Sequence, residues 1–114
     1  MNSITIGVSG MDEAKARLAA AFRGEQQGEF LSFASVELLW QTLTPRRWDI
    51  LRAMTGREPM SLRSVARLIG RDVKNTHADM RALIDAGLVE KTAEGQVQFS
   101  YDAVRVDFTI TKAA

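Results

Sequence analysis

Three helix signals in close succession constrain the fold of this chain more than any other feature of its sequence. Each signal begins with a side chain suited to capping a helix, at Thr44, Ser61 and Asp72. Proline follows the first cap, which suits the first turn of a helix. Gly70 and Gly87 end the second and third segments, as glycine commonly does. The sequence therefore predicts three short helices joined by tight turns.

The apolar residues of these segments recur at helical spacing and predict the buried faces. The first helix is expected to end near Gly56. We interpret Trp48, and Trp40 before it, as packing residues. The predicted inward side chains are Trp48, Ile50, Leu51 and Met54 in the first helix, Leu62, Val65, Ala66, Leu68 and Ile69 in the second, and Val73, Thr76, Met80, Leu83 and Ile84 in the third.

A β-hairpin is predicted directly after the third helix. Its arms are residues 88–91 and 96–101, with turn residues between them. Alternating apolar residues then predict a last strand over 104–110. Three helices followed by a hairpin match the plan of a winged helix-turn-helix, in which the hairpin is the wing. The predicted fold class is α+β, with a three-helix core plus a β-hairpin wing.

The first third of the chain carries a different pattern. A strand is predicted over residues 4–8, an amphipathic helix over 11–26 and a second short strand over 30–33. Ser35 is expected to cap a brief helix that runs through Leu43. We expect residues 1–43 to form an N-terminal strand/helix extension, 44–101 the winged-helix domain and 102–114 a C-terminal strand.

Composition excludes most catalytic chemistry. The 114 residues contain no cysteine and one histidine, so thiolate metal sites, disulfides and cysteine nucleophiles are absent. No glycine-rich phosphate loop, HExxH or Gly-x-Ser-x-Gly motif is present. We therefore expect a protein that is not an enzyme and needs no metal or cofactor. The sequence also shows no signal peptide pattern, and we expect a cytoplasmic protein without membrane association.

Charge is distributed unevenly along the chain. The formal net charge is only +1. It is the sum of −2 over residues 1–43, +4 over 44–91 and −1 over 92–114. The basic surplus falls on the predicted helix-turn-helix, which favours a nucleic acid partner.

The third helix is the predicted recognition helix. With its apolar stripe turned inward, Lys74, Asn75, Ala78 and Arg81 face outward, and His77 lies at the border. Asparagine can pair bidentately with adenine and arginine with guanine, whereas a small alanine allows close approach. Cations before this helix are better placed for phosphate. These are Arg63, Arg67 and Arg71.

Other interpretations of these residues stay open. Basic residues on amphipathic helices often form only a solvated face, and His77 is equally compatible with half-buried packing. Asp79 and Asp85 lie near the predicted DNA surface and would repel phosphate. On the wing, Lys91 is the one nearby cation, and Glu94 occupies the tip. We therefore expect little or no insertion of the wing into the minor groove.

Two resemblances to known families support the interpretation of this chain as a DNA-binding protein. Two stretches resemble winged-helix transcriptional regulators of the MarR-like kind. One is Leu83-Ile84-Asp85-Ala86-Gly87-Leu88-Val89-Glu90, and the other runs from Ser61 to Arg81. A wider resemblance is to a family of small prokaryotic DNA-binding proteins that includes TumA-like antitoxins, encoded beside a TumE-like toxin. Its most specific element is the run Gly70-Arg71-Asp72-Val73-Lys74-Asn75-Thr76-His77, and Phe30 to Ser35, Leu43 to Arg47 and Tyr101 to Ile110 extend it. This second resemblance implies a transcriptional repressor and, in one branch, an antitoxin with a toxin partner.

One module with so small a surplus would bind DNA weakly, so we expect a homodimer that reads two half-sites of an operator about 34 Å apart. The strands at residues 4–8 and 104–110 have apolar faces and are expected to offer unpaired edges. Together with helix 11–26, they are predicted to form a two-fold interface or to dock a partner protein. The alternative function is a winged-helix scaffold that binds or neutralises a partner while DNA contact is incidental.

Overall fold

The computed structural model describes residues 2–8, 19, 23 and 29–109. These residues adopt an α+β fold. The strands are β1 (Ser3–Val8), β2 (Glu29–Phe33), β3 (Glu90–Lys91), β4 (Val97–Gln98) and β5 (Ala103–Asp107), and the helices are α1 (Val36–Thr42), α2 (Pro45–Met54), α3 (Leu62–Ile69) and α4 (Val73–Asp85).

A three-stranded parallel sheet joins the two ends of the described chain. Its strand order is β2-β1-β5. Ile6 of β1 lies opposite Leu31 on one side and Val106 on the other. The expectation that β1 offers an unpaired edge is wrong, because β1 is the central strand and both its edges are paired. Within the described residues, the outer edges of this sheet belong to β2 and β5.

The hairpin forms a second, smaller sheet. Strands β3 and β4 pair antiparallel, with Glu90 opposite Gln98 and Lys91 opposite Val97. Met60, just before α3, extends this sheet by exchanging two backbone hydrogen bonds with Val97, of 2.8 and 3.1 Å. The predicted hairpin is confirmed, although each strand has only two residues.

The predicted helix caps are confirmed at all four helices. The oxygen of each cap accepts a hydrogen bond from the backbone N–H three residues later, which satisfies a donor that the helix leaves unpaired. The donor–acceptor distances are 3.1 Å at Ser35, 3.4 Å at Thr44, 3.1 Å at Ser61 and 2.7 Å at Asp72. Helix α2 ends at Met54, two residues before the predicted Gly56.

One hydrophobic core connects the parallel sheet, the helices and the hairpin. It contains Ile4 and Ile6 of β1 together with residues of every described helix. The helix residues are Leu39, Ile50, Leu51, Met54, Val65, Met80 and Leu83, and the hairpin region adds Leu88, Val89, Val97 and Phe99. Thr76 is also buried, with 1% exposure, and its hydroxyl is satisfied by a 2.8 Å hydrogen bond that it donates to the Asp72 carbonyl.

Three residues predicted to be buried are exposed. Trp40 is 51% exposed, because Leu39 takes the inward position of the short α1. Leu68 is 47% exposed, since it lies two residues, or about 200°, beyond the buried Ala66. Val73 is 40% exposed, and it is the first residue of α4.

The remaining predictions concern the terminal segments. The predicted helix 11–26 lies outside the described residues except for Ala19 and Arg23, whose backbones share a 3.2 Å hydrogen bond. The last strand ends at Asp107, and Ile110, its predicted end, is outside the described residues. None of the described helices is long and apolar enough to span a membrane.

Candidate nucleic-acid interface

Helix α4 presents a polar face away from the core. Its buried residues Thr76, Met80 and Leu83 hold one side of the helix against the core. The opposite side consists of exposed residues, which we call the α4 outer face: Lys74, Asn75, His77, Ala78 and Arg81. Four of them were predicted to face outward and His77 to lie at the border, and the exposure of His77 disfavours its interpretation as a half-buried packing residue.

An ion pair between helices fixes the position of α4. Arg47 Nε lies 3.2 Å from Asp79 Oδ1, with side-chain exposures of 22% and 15%. The same guanidinium donates a 2.8 Å hydrogen bond to the Thr42 carbonyl at the end of α1. Asp79 was expected to repel phosphate, but its carboxylate is mostly buried and paired with a cation from α2, which reduces the negative charge that it presents at the surface.

The turn between α3 and α4 is tight and well hydrogen-bonded. Gly70 adopts the left-handed conformation, with φ of +70°. Asp72 then caps α4, and one amide N–H of Asn75 donates to its second carboxylate oxygen at 2.9 Å. The Asn75 side chain keeps its carbonyl oxygen and its second N–H, which are the two groups that bidentate pairing with adenine requires.

Arg71, predicted to contact phosphate, is engaged within the protein. Its Nη2 lies 3.0 Å from Asp49 Oδ2, and Nη1 donates to the Arg46 carbonyl at 3.4 Å. Asp49 also pairs with Arg52. The hydrogen bond from Arg52, followed by that from Arg71, lowers the pKa of Asp49 despite opposing desolvation. Asp49 therefore stays ionised at neutral pH, and Arg71 is less available to DNA than predicted.

Four other cations of this region are free of ion pairs within the described part of the chain. Arg63, Arg67, Lys74 and Lys91 are exposed and form no ion pair with another described residue. Arg81 pairs with Asp85 at 3.4 Å, but both side chains are mostly exposed, at 72% and 65%. Exposed pairs of this kind are weak and are readily exchanged for another ligand.

The hairpin lies beside the α4 outer face. A cleft of about 300 Å³ separates them, with His77 and Arg81 on the α4 side and Lys91 on the hairpin side. Its apolar floor includes Leu62, Met80 and Ile84. The structure thus brings Lys91 to the same groove as two residues of the predicted recognition helix, although fourteen and ten positions separate them in sequence.

Sequence reasoning assigned no role to Arg46. This exposed residue lies in the first turn of α2, and its carbonyl accepts the hydrogen bond from Arg71. The contact places Arg46 beside the turn that joins α3 to α4, where it adds a cation to the surface. The adjacent Arg46-Arg47 pair was the available signal, but only the tertiary contacts separate an inward Arg47 from an exposed Arg46.

In the part of the chain that the structure describes, no group of three or more histidine or acidic side chains is arranged to hold a metal ion.

Comparison with protein families identifies the chain at the family level. The chain belongs to the HVO_A0114 family, whose model matches residues 42–106. This range is more than half of the chain and runs from the end of α1 into β5. Searches of curated proteins and of solved structures found no significant match.

Proposed function

We propose that this protein is a sequence-specific DNA-binding transcriptional regulator with a winged helix-turn-helix. In this proposal, α3 and α4 are the helix-turn-helix, α4 is the recognition helix, and the β3–β4 hairpin is the wing. The observation that carries the proposal is the α4 outer face, where exposed donors occupy the side opposite a buried stripe.

The geometry supports separate roles for the residues of this surface. Asn75 and Arg81 have the donors and acceptors that distinguish base edges in the major groove. Lys74, Arg63 and Arg67 are exposed cations suited to phosphate. Alanine at position 78 leaves room for close approach. Lys91 contributes from the wing, whose short strands and Glu94 favour backbone contact over minor-groove insertion.

Packing of α4 supports the same function. A recognition helix must hold its donors in a fixed register against DNA. Here the Arg47–Asp79 ion pair, the Asp72 cap and the buried Met80 and Leu83 restrict the helix from three directions.

The regulator is proposed to act as a homodimer on an operator, including the operator of its own gene. The role of antitoxin, with a cognate toxin as a second partner, rests on the resemblance to TumA-like proteins alone. A short toxin-like reading frame beside the gene would support that role, and a solitary gene would count against it.

Removing three cations from the proposed DNA surface tests the function. The variant combines Arg67→Ala, Lys74→Ala and Arg81→Ala, and it leaves Arg71 in place because Arg71 pairs with Asp49. We expect affinity for the region upstream of the gene to fall roughly a hundredfold, because each cation contributes a phosphate or base contact. Because a dimer loses the phosphate contacts of Arg67 and Lys74 twice, the slope of log affinity against log salt concentration should fall in magnitude by about 4. Fluorescence anisotropy with a labelled duplex measures both.

The matched control is Arg57→Ala, which removes an exposed cation from the loop before α3. It should leave DNA affinity unchanged. For Arg81→Ala alone, a loss on the operator of about 1 to 3 kcal/mol without an equal loss on random DNA would assign Arg81 to base recognition. Unchanged operator affinity in the triple variant would contradict the proposal and favour the scaffold function instead.

A further inference from the structure

Strand β5 forms an outer edge of the parallel sheet among the described strands. Its inner edge pairs with β1, and no described strand covers its outer edge. Val106 in this strand is 41% exposed, although its partner across the sheet, Ile6, is fully buried. Unpaired strand edges present backbone donors and acceptors that favour pairing with another chain. The β5 edge is therefore a surface on which a second strand can be added.

Strand β5 carries one positive and one negative side chain at equal distances from its residue Val106. Arg105 and Asp107 flank Val106, share one face of the strand and lie 3.7 Å apart at their charged atoms. Both side chains are mostly exposed, at 75% and 56%. A strand with opposite charges on either side of a central residue is complementary to an antiparallel copy of itself.

Two-fold symmetry restricts the possible registers. Two copies of one edge strand related by an axis perpendicular to the sheet pair antiparallel, and opposing residues must share a face. The axis therefore passes through a residue paired with its own copy. Centring on Arg105 or Asp107 places like charges opposite each other. Centring on Val106 places each Arg105 opposite an Asp107, which is the stabilising arrangement.

Apolar residues near the edge fit the same register. With Val106 at the axis, Val104 lies opposite Phe108 of the second copy. A groove lined by Trp48, Leu51, Arg52, Thr55 and Val104 includes a residue of this strand and offers apolar surface beside it. Phe108 also contacts the exposed Trp40, with ring centroids 5.8 Å apart. This arrangement would cover apolar side chains that the single chain leaves in solvent.

We infer that two copies of this chain associate through the β5 edge, antiparallel about a two-fold axis at Val106, and form a continuous six-stranded sheet. The inference rests on the homodimer of the proposed function and specifies its interface. The two Arg105–Asp107 pairs set the register, and Val104, Val106 and Phe108 supply the apolar contact. The DNA-facing helix α4 takes no part in this interface.

Charge reversal at two positions tests the register with the full chain. Arg105→Asp and Asp107→Arg, made singly, each place like charges opposite one another in a homodimer. Each should weaken self-association roughly ten- to a hundredfold. An equimolar mixture of the two variants should form heterodimers, and the double variant should recover self-association. Sedimentation velocity measures all four, and circular dichroism verifies folding.

A disulfide cross-link provides an independent test of the proposed register. The chain has no cysteine, so Val106→Cys introduces one thiol per copy. Residues paired across antiparallel strands lie about 4.5 to 5.5 Å apart at Cα, within the range that a disulfide spans. Val106→Cys should therefore form a disulfide-linked dimer under mild oxidation, whereas Arg57→Cys should not.

The opposite results would overturn the inference. A monomeric native chain at tens of micromolar, single reversals that associate as well as the native chain, or a mixture that fails to form heterodimers would each do so. None of these measurements includes DNA. A native chain that dimerises through β5 but fails to bind its upstream region would refute the proposed function while leaving the interface intact.

Discussion

Two arginine–aspartate pairs that both involve α4 differ in their exposure to solvent. Arg47 and Asp79 lie on different helices and are mostly shielded from solvent, with exposures of 22% and 15%. Arg81 and Asp85 occupy successive turns of α4 and are mostly exposed. Solvent screening and side-chain entropy leave an exposed pair with little net stabilisation, whereas hydrogen bonds between shielded charges contribute more. The first pair therefore positions the helix, and the second leaves Arg81 available to a ligand.

Asp79→Asn is expected to lower the free energy of unfolding by about 1 to 3 kcal/mol, because it removes the charge that Arg47 faces. Asp85→Asn is the matched control on the same helix and should cost less than about 0.5 kcal/mol. Urea denaturation followed by circular dichroism measures both. Equal effects of the two substitutions would contradict the structural role of the Arg47–Asp79 pair.

At the scale of elements, the turn between α3 and α4 determines how the two helices cross. Gly70 has a φ of +70°, and a Cβ built there would meet no atom within 4 Å. Arg71 then donates its backbone N–H to the Ala66 carbonyl at 3.0 Å and closes the turn. Glycine is therefore favoured at this position by its backbone conformation and not by lack of space, since room is available for a side chain.

Gly70→Ala is expected to cost about 1 to 2 kcal/mol of stability, because a Cβ is strained in the left-handed conformation. Gly70→Asn should cost less, since asparagine visits this conformation more readily. Thermal unfolding of both variants provides the comparison. If alanine proved as stable as glycine, the turn would have to adopt another conformation.

At the scale of the whole molecule, the parallel sheet joins segments from opposite ends of the chain. The backbone N–H of Asp102 donates to the Asn2 carbonyl at 2.7 Å, and Asn2 in turn donates its side-chain amide to the Ser100 carbonyl. Gly7, near the end of β1, is closely packed between its neighbours. A Cβ there would lie 2.6 Å from the Asp107 carbonyl oxygen and 3.1 Å from the Phe30 ring. The β1–β5 pairing thus depends on a residue without a side chain.

Gly7→Ala should destabilise the protein by about 1 to 3 kcal/mol, because the β5 backbone must move to accept the methyl group. The same movement should weaken dimers formed through β5. Ser3→Ala, at an exposed position of the same strand, should stay within about 0.5 kcal/mol of the native chain. Urea denaturation measures stability, and wild-type stability of Gly7→Ala would show that β5 is not held as tightly as the structure indicates.

Local signals in the sequence were sufficient to place the starts of the four described helices. Caps such as Ser61 and Asp72 act on backbone groups three residues away, so their effect is visible within a short window. The outward position of Lys74 and Arg81 likewise follows from the apolar stripe of one helix. These features require no knowledge of the rest of the chain.

Contacts between distant residues could not be obtained in this way. Arg71 and Asp49 are 22 positions apart, and nothing in either sequence neighbourhood distinguishes Arg71 from the free Arg67. Trp40 has the large apolar side chain of a core residue, but its exposure depends on which face of α1 meets the sheet.

The sequence by itself determined where the described helices begin, most of the residues that they bury and where the positive charge is concentrated, because these properties arise from interactions within a few residues. Only the tertiary structure decided that β1 is central, that β2 and β5 are the outer strands of the described sheet, and which arginines are paired with acids. Those outcomes depend on the packing of segments up to about a hundred residues apart, and many pairings of similar local sequences compete until one shared core selects among them.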